Sequence, residues 1–274
     1  MSQRTTMDEQ SVEVIIETSR RMPVPTYSAI LSQVAWSLDE IDRTARPGKN
    51  VRIQWGIAEV EGSSTIRAVL APIALPPTLE PSALQTMTVG LVDGVSGLGL
   101  TPEIPKLFTA STVRRVEKVG SAVSRGQIEA IRIASINGRR SESAVTAMTS
   151  KNAHEAVTGT QLSLGSVQGI LDVLDGRSHR GVRAQIYIPA VRRAVMVYAK
   201  AEHSAALKEY WGREVLASGE LKRNSRGQVV SLDLRDLAEV TAHEYVSPWA
   251  ILGADRGLTG LHTTAEYMEM IRGR

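Results

Sequence analysis

The sequence predicts an α+β chain: an antiparallel sheet with helices over residues 1–150, an OB-like five-stranded β-barrel over residues 160–240, and a connector with a C-terminal helical tail over residues 241–274. Three observations carry this. In the first half, short β-rich runs pair as hairpins and alternate with amphipathic helices, and Asn137-Gly138 is the strongest short hairpin signal. Residues 165–240 read strand, strand, strand, short helix, strand, strand, and one helix between the third and fourth strands is the OB order. Near the end, Thr263-Thr-Ala-Glu266 is a capping box opening a helix over Thr264–Arg272.

In chain order, residues 1–10 are polar and read as loose, with no apolar segment of a secretory signal. Val12–Glu17 is a short strand. Pro23 and Pro25 break the chain, and Thr26 is the expected N-cap of a helix reaching about Thr44, with a stripe of Tyr27, Ile30, Leu31, Val34, Leu38 and Ile41. Arg46-Pro-Gly-Lys49 stops it. Asn50–Val60 and Thr65–Ile73 form a hairpin. A helix over Ser82–Val95 follows, then a Gly- and Pro-rich loop over Gly94–Pro105, then a helix from Lys106 to Ser124. Gly126–Ile136 and Glu142–Thr149 are the next strand pair, and residues 150–164 carry a short helix. The barrel strands are Gly165–Leu174, Arg183–Ile188, Ala194–Ala199, Arg213–Lys222 and Gln228–Leu234, with a helix over Glu202–Tyr210 after the third. Val215, Ala217, Gly219 and Leu221 alternate in the fourth, as do Val229 or Val230, Leu232 and Leu234 in the fifth, and Asn224-Ser-Arg-Gly227 turns between them. Residues 241–253 are a connector.

The composition narrows the function classes. Of 274 residues, 42% are hydrophobic and only 4% aromatic, with one Phe, so the core rests on aliphatic side chains. The formal charge of +3 permits a polyanionic partner without demanding one. There are no cysteines, which excludes disulfides, Cys-type zinc sites and Cys nucleophiles and fits a reducing cytoplasm. No run of 18 apolar residues exists, so no membrane helix is expected.

Catalytic motifs fail one by one. Gly94-Val-Ser-Gly97-Leu-Gly99 lacks the spacing and strand–helix context of a phosphate loop. Gly165-Ser-Val-Gln-Gly169 has its serine one position too early for a nucleophile elbow. His154, His179, His203, His243 and His262 never fall at ligand spacing. Asp39, Glu40 and Asp42 interleave with Arg43 and Arg46 and read as a solvated, salt-bridged helix face. The expectation is therefore a non-enzymatic protein with no cofactor and no metal.

Two groups of residues read as interaction sites. The barrel loops carry Arg177, Arg180, Arg183, Lys222, Arg223 and Arg226, offset by Asp175, at corners that flank the OB binding face. Tyr187, Tyr198 and Trp211 on or beside the strands offer stacking faces for a nucleic acid. The alternative partner is a protein. Trp36 projects about 180° from Tyr27 and either packs on a second layer or anchors a partner, while Tyr267, Met270 and Ile271 share a face of the final helix. Arg114, Arg115 and Lys118 form a smaller basic edge beside Phe108, Thr112, Val116 and Val119.

Several words of the chain are shared with a known group. Ser166-Val-x-Gly169-x-Leu171, Trp211-Gly-Arg-x-Val215 with Gly219, Asn224-x-x-Gly227, and Leu258-Thr-Gly260 with Glu266-Tyr267 are the main ones; Leu38-Asp-Glu-Ile-Asp42, Arg46-Pro-Gly and Arg52-x-x-Trp55 add to them. By these the chain resembles an uncharacterised bacterial family with an α/β first half and an OB-like second half. The resemblance implies that architecture and brings no catalytic residue. The closing words also look like tails of antitoxins of ribonuclease toxins, which implies protein partnership. The expected function is thus a cytoplasmic binding protein whose OB-like barrel contacts nucleic acid through basic loops, with an antitoxin or complex subunit as the alternative.

Overall fold

Val12, Val14 and Ile16 alternate with Ser11, Glu13, Ile15 and Glu17, and that period of two builds the central strand β1 (Ser11–Glu17) of the first sheet. The computed structural model describes residues 10–19, 21–49, 52–62, 65–75, 79–126, 128–175 and 181–240. Expectations for residues 1–9, for the 176–180 loop with Arg177 and Arg180, and for the 241–253 connector and the final helix with Tyr267, Met270 and Ile271 lie outside the described residues.

After β1 come α1 (Val24–Ala45), β2 (Gln54–Gly62), β3 (Thr65–Ala74), α2 (Pro81–Leu100), α3 (Ala110–Ser124), β4 (Ala130–Ile136), β5 (Arg140–Val145) and α4 (Ala147–Val157). The strands pair antiparallel in the order β2-β3-β1-β4-β5. The inward residues of β1 pack with Ile30, Leu31, Val34, Leu38 and Ile41 of α1, Leu91 and Val95 of α2 and Val113 and Val116 of α3, in one aliphatic core around the buried Phe108. The opposite face is polar. Glu13 is 3% exposed there and accepts hydrogen bonds from Arg67 (2.9 Å) and Arg140, while Arg132 pairs with Glu17.

Several boundaries correct the sequence reading. α1 starts at Val24, with Pro23 rather than Thr26 at the cap, because Pro25 occupies a first-turn position where its missing N–H is not needed. α2 does not end at Val95 but runs to Leu100, through the first half of the expected loop, and Thr101, extended ahead of Pro102, ends it. Leu91, Val95 and Leu98 continue its apolar stripe past the glycines. Gly94 has a packing role: a Cβ there would lie 2.2 Å from Cζ of Phe108. Gly94→Ala is therefore expected to destabilise by about 1–3 kcal/mol from overpacking, despite the better helix propensity of alanine; a denaturation midpoint at or above wild type would refute this.

α3 begins at Ala110, not Lys106, where Thr109 and Thr112 cap each other. β5 ends at Val145, not Thr149, because Thr146 and Thr149 form a second capping pair that starts α4. The face of α1 read as solvated is salt-bridged but not all solvated: Asp42 is fully buried and Glu40 is 8% exposed, covered by the chain that returns at Ile53 and by Thr109.

The second part holds β6 (Gln161–Asp175), β7 (Val182–Ile188), β8 (Arg193–Ala199), a short helical segment (3-10 turn Ala201–His203 and α5, Ser204–Glu209), β9 (Glu214–Arg223) and β10 (Val229–Glu239). Their hydrogen bonds close a ring in the order β10-β8-β7-β6-β9. All pairs are antiparallel except β8 with β10. Val167, Leu171, Ala184, Ile186, Val195, Val197, Val215, Ala217, Leu221, Leu232 and Leu234 fill its interior. Val230, turned away from the ring interior by the irregularity between Val229 and Ser231, joins the aliphatic core of the first part. The described residues up to Glu239 form one compact unit. Among the described residues no helix is long and apolar enough to cross a membrane.

Candidate nucleic-acid interface

Strand alternation fixes which side chains of the ring face outward. Ala184 and Ile186 of β7 and Val195, Val197 and Ala199 of β8 point into the ring core, so Arg183, Gln185 and Tyr187 point out, as do Met196 and Tyr198. The register sets Arg183 opposite Tyr198, Gln185 opposite Met196 and Tyr187 opposite Ala194. Arg183 is exposed, Tyr198 is 38% exposed and Tyr187 is half-buried.

One cross-strand row runs through this face. Asp175 of β6 is the register partner of Arg183, and Tyr198 is that of Asp233 on β10. Lys222 of β9 reaches Asp233 at 3.3 Å. The row therefore reads acid, base, aromatic, acid and acid, ending on Glu220 of β9, the register partner of Asp233, and even with Lys222 reaching in beside it the described members carry no surplus of positive charge. Trp211 lies near the start of β9, half-exposed, with its indole N–H donating to the carbonyl of Asp172 at 2.7 Å.

The turn with Arg223 and Arg226 is docked, not free. Asn224 is fully buried. Its amide donates to the Ala156 carbonyl at the end of α4 (3.0 Å), and its Oδ1 accepts from the backbone N–H groups of Arg226 and Gln228. The Gln228 side chain clamps the backbone of Ile104, accepting from its N–H at 2.7 Å and donating to its carbonyl at 3.3 Å. Arg223 donates to the Gly227 carbonyl and braces its own turn, while Arg226 is exposed. Of the six basic positions read from the sequence, Arg183 and Arg226 are exposed, while Lys222 and Arg223 are part-exposed and engaged, with Asp233 and with the Gly227 carbonyl.

Trp36 is half-exposed on α1, and the Arg115 guanidinium of α3 lies 5.1 Å from its ring centroid. Arg115 also approaches Glu40 at 3.7 Å, so the basic edge of α3 is partly engaged. His154 bonds Glu117 at 2.9 Å on the surface. Among the described residues no three His, Asp or Glu side chains converge as metal ligands.

The sequence reading missed the basic residues at the β7–β8 turn and the segment they meet. Arg193 is half-buried, which pushes its guanidinium pKa down, and the Arg192 carbonyl accepts the backbone bond from Leu107. Pro189-Ala-Val-Arg192 lacks the Gly or Asn that marks such a turn, so nothing in the pattern drew attention to it. No known protein family matches the chain, and no curated protein matches it either.

Proposed function

We propose that this protein binds single-stranded nucleic acid through the outward face of β7 and β8, in a ring that is an OB-like barrel. The ring closes first-second-third-fifth-fourth strand, with the helical segment between the third and fourth and a parallel bond between the third and fifth. That connectivity supports the OB reading, and in OB barrels the second and third strands form the oligonucleotide face. The observation that carries the proposal is Arg183 in register with Tyr198 on that face, with Tyr187 further along the same strand. A guanidinium beside an aromatic ring offers a phosphate contact and a stacking platform together. Binding of this kind asks for no catalytic group.

Fluorescence anisotropy with labelled single-stranded DNA and RNA, titrated over salt, tests the proposal. Each phosphate neutralised adds about −0.7 to the slope of log K against log salt. Arg183→Ala is expected to make that slope shallower by about this amount. Tyr198→Ala is expected to cost about 1–3 kcal/mol of binding with the slope unchanged, because stacking releases no counterions. Absence of binding for both nucleic acids at about 50 mM salt would overturn the reading.

A further inference from the structure

We infer a second, separate binding site: a cleft between α2 and the β7–β8 turn that takes a small phosphorylated molecule with a flat apolar body, a mononucleotide. The cleft encloses about 520 Å³, within the range of small-molecule sites. Its apolar lining is Val89 of α2 with Pro105 and Leu107, and its charged groups are Asp93, Lys106 and Arg192.

Among the described residues, Leu107 (φ 65°) and Arg192 (φ 49°) are the only non-glycine residues in the left-handed region. They are bonded to each other: the Leu107 N–H donates to the Arg192 carbonyl at 2.9 Å. Such backbone persists only where its surroundings hold it, and it concentrates at ligand sites. Leu107 has a packing reason, since its side chain is 6% exposed and fits over Gly90, where a Cβ would lie 2.8 Å from its Cδ1. Arg192 has none. Its side chain is exposed and has no hydrogen-bond or ion-pair partner among the described residues. A glycine would serve the turn at lower strain, so the strain is explained by what the guanidinium does.

Lys106 sits in the same segment as Leu107, and it too has no partner among the described residues. Two cations on one wall suit a phosphate dianion. Asp93, on α2, repels an anion and accepts hydrogen bonds from sugar hydroxyls or an amine. Val89 and Pro105, part-exposed on the cleft lining, offer the apolar surface for a flat ring. This arrangement selects a molecule anionic at one end and donor-rich at the other.

The proposal does not rest on the nucleic-acid reading, because none of its residues lies on the Arg183–Tyr198 face. Isothermal titration calorimetry with AMP on the full chain tests it, with inorganic phosphate and adenosine as partial ligands. Saturable AMP binding is expected, weaker for either fragment. The deciding variant is Arg192→Gly, which removes the guanidinium and relieves the left-handed strain together. It is expected to weaken AMP binding about 10- to 100-fold, the worth of a charge-assisted hydrogen bond, with a melting temperature equal to or above wild type. Lys106→Ala is expected to weaken binding similarly and is the second check should Arg192→Gly fold poorly. No AMP binding at about 1 mM, the limit of a weak specific site, would overturn the proposal. So would unchanged affinity in both variants, which would put the nucleotide elsewhere on the protein.

Discussion

Replacing Asp42 by alanine is expected to destabilise the protein by about 3–5 kcal/mol, the usual consequence of removing one partner of a buried ion pair. Asp42 is fully buried, and its carboxylate accepts from Arg46 Nε at 2.6 Å, from Arg46 Nη2 at 2.8 Å and from the backbone N–H of Ile53 at 3.2 Å. Alanine leaves the largely buried Arg46 without this carboxylate and the Ile53 N–H without its acceptor. It also withdraws a counter-charge from Arg52, whose pKa burial already lowers and which the carboxylates of Asp42 and Asp172 hold up. The same helix supplies its own control. Asp39 pairs with Arg43 at 2.8 Å with the same spacing, but both side chains are about a third exposed, and such a pair contributes about 0.3–0.5 kcal/mol. Urea denaturation of the two alanine variants separates these cases. Equal midpoints would show that burial of Asp42 adds nothing to its pairing.

That contrast marks how far the sequence could be read. The i,i+4 spacing announces both Asp–Arg pairs, but not which is buried. The difference arises because the chain leaving α1 turns back so that Ile53 lies on Asp42, a contact eleven residues away that no helical period encodes. Local signals were dependable where periodicity and tertiary packing agreed. The stripe on α1, apart from the half-buried Tyr27, and the alternation in β9 and β10 are buried as their patterns require, with Val229 packed against the ring core and Val230 turned into the first core.

Signals misled where one residue type serves two purposes. Glycines that ordinarily break a helix lie inside α2, at Gly94 because the Phe108 ring presses against it. Thr146, which fits a strand, caps a helix instead. The outward face of β7 and β8 shows the same division. Tyr187, Tyr198 and Arg183 were legible from strand phase alone, since outward positions alternate. Of the acids that share their row, Asp175 is legible beside the basic loop, but Asp233 is not, because it meets Tyr198 only through the parallel β8–β10 pairing that closes the ring. Any nucleic-acid affinity of this face must therefore overcome the carboxylates of Asp175, Asp233 and Glu220, so its salt slope should be shallow and rest largely on Arg183.

The second large effect is expected at Asn224. Its turn is legible in Asn224-Ser-Arg-Gly227, with Gly227 at φ 75°, but the turn geometry is the smaller part of what the side chain does. Oδ1 caps two backbone N–H groups within the turn, and Nδ2 donates to the Ala156 carbonyl 68 residues away and to Gln228 Oε1. Alanine removes all four hydrogen bonds from a fully buried position, leaving the Ala156 carbonyl and at least one turn N–H unpaired. At about 1–3 kcal/mol for each buried orphan, the expected loss is about 2–4 kcal/mol. Asn224→Asp separates the two roles, since it keeps the acceptor and loses the donor to Ala156. If docking on α4 matters more than the turn, the aspartate variant should be as unstable as alanine; if the turn matters more, it should approach wild type. Ser225→Ala, which loses only the exposed bond to Glu155, should move the melting temperature little. A wild-type melting temperature in Asn224→Ala would mean that Gln228 on Ile104 and Leu107 on Arg192 suffice to join the ring to the first sheet.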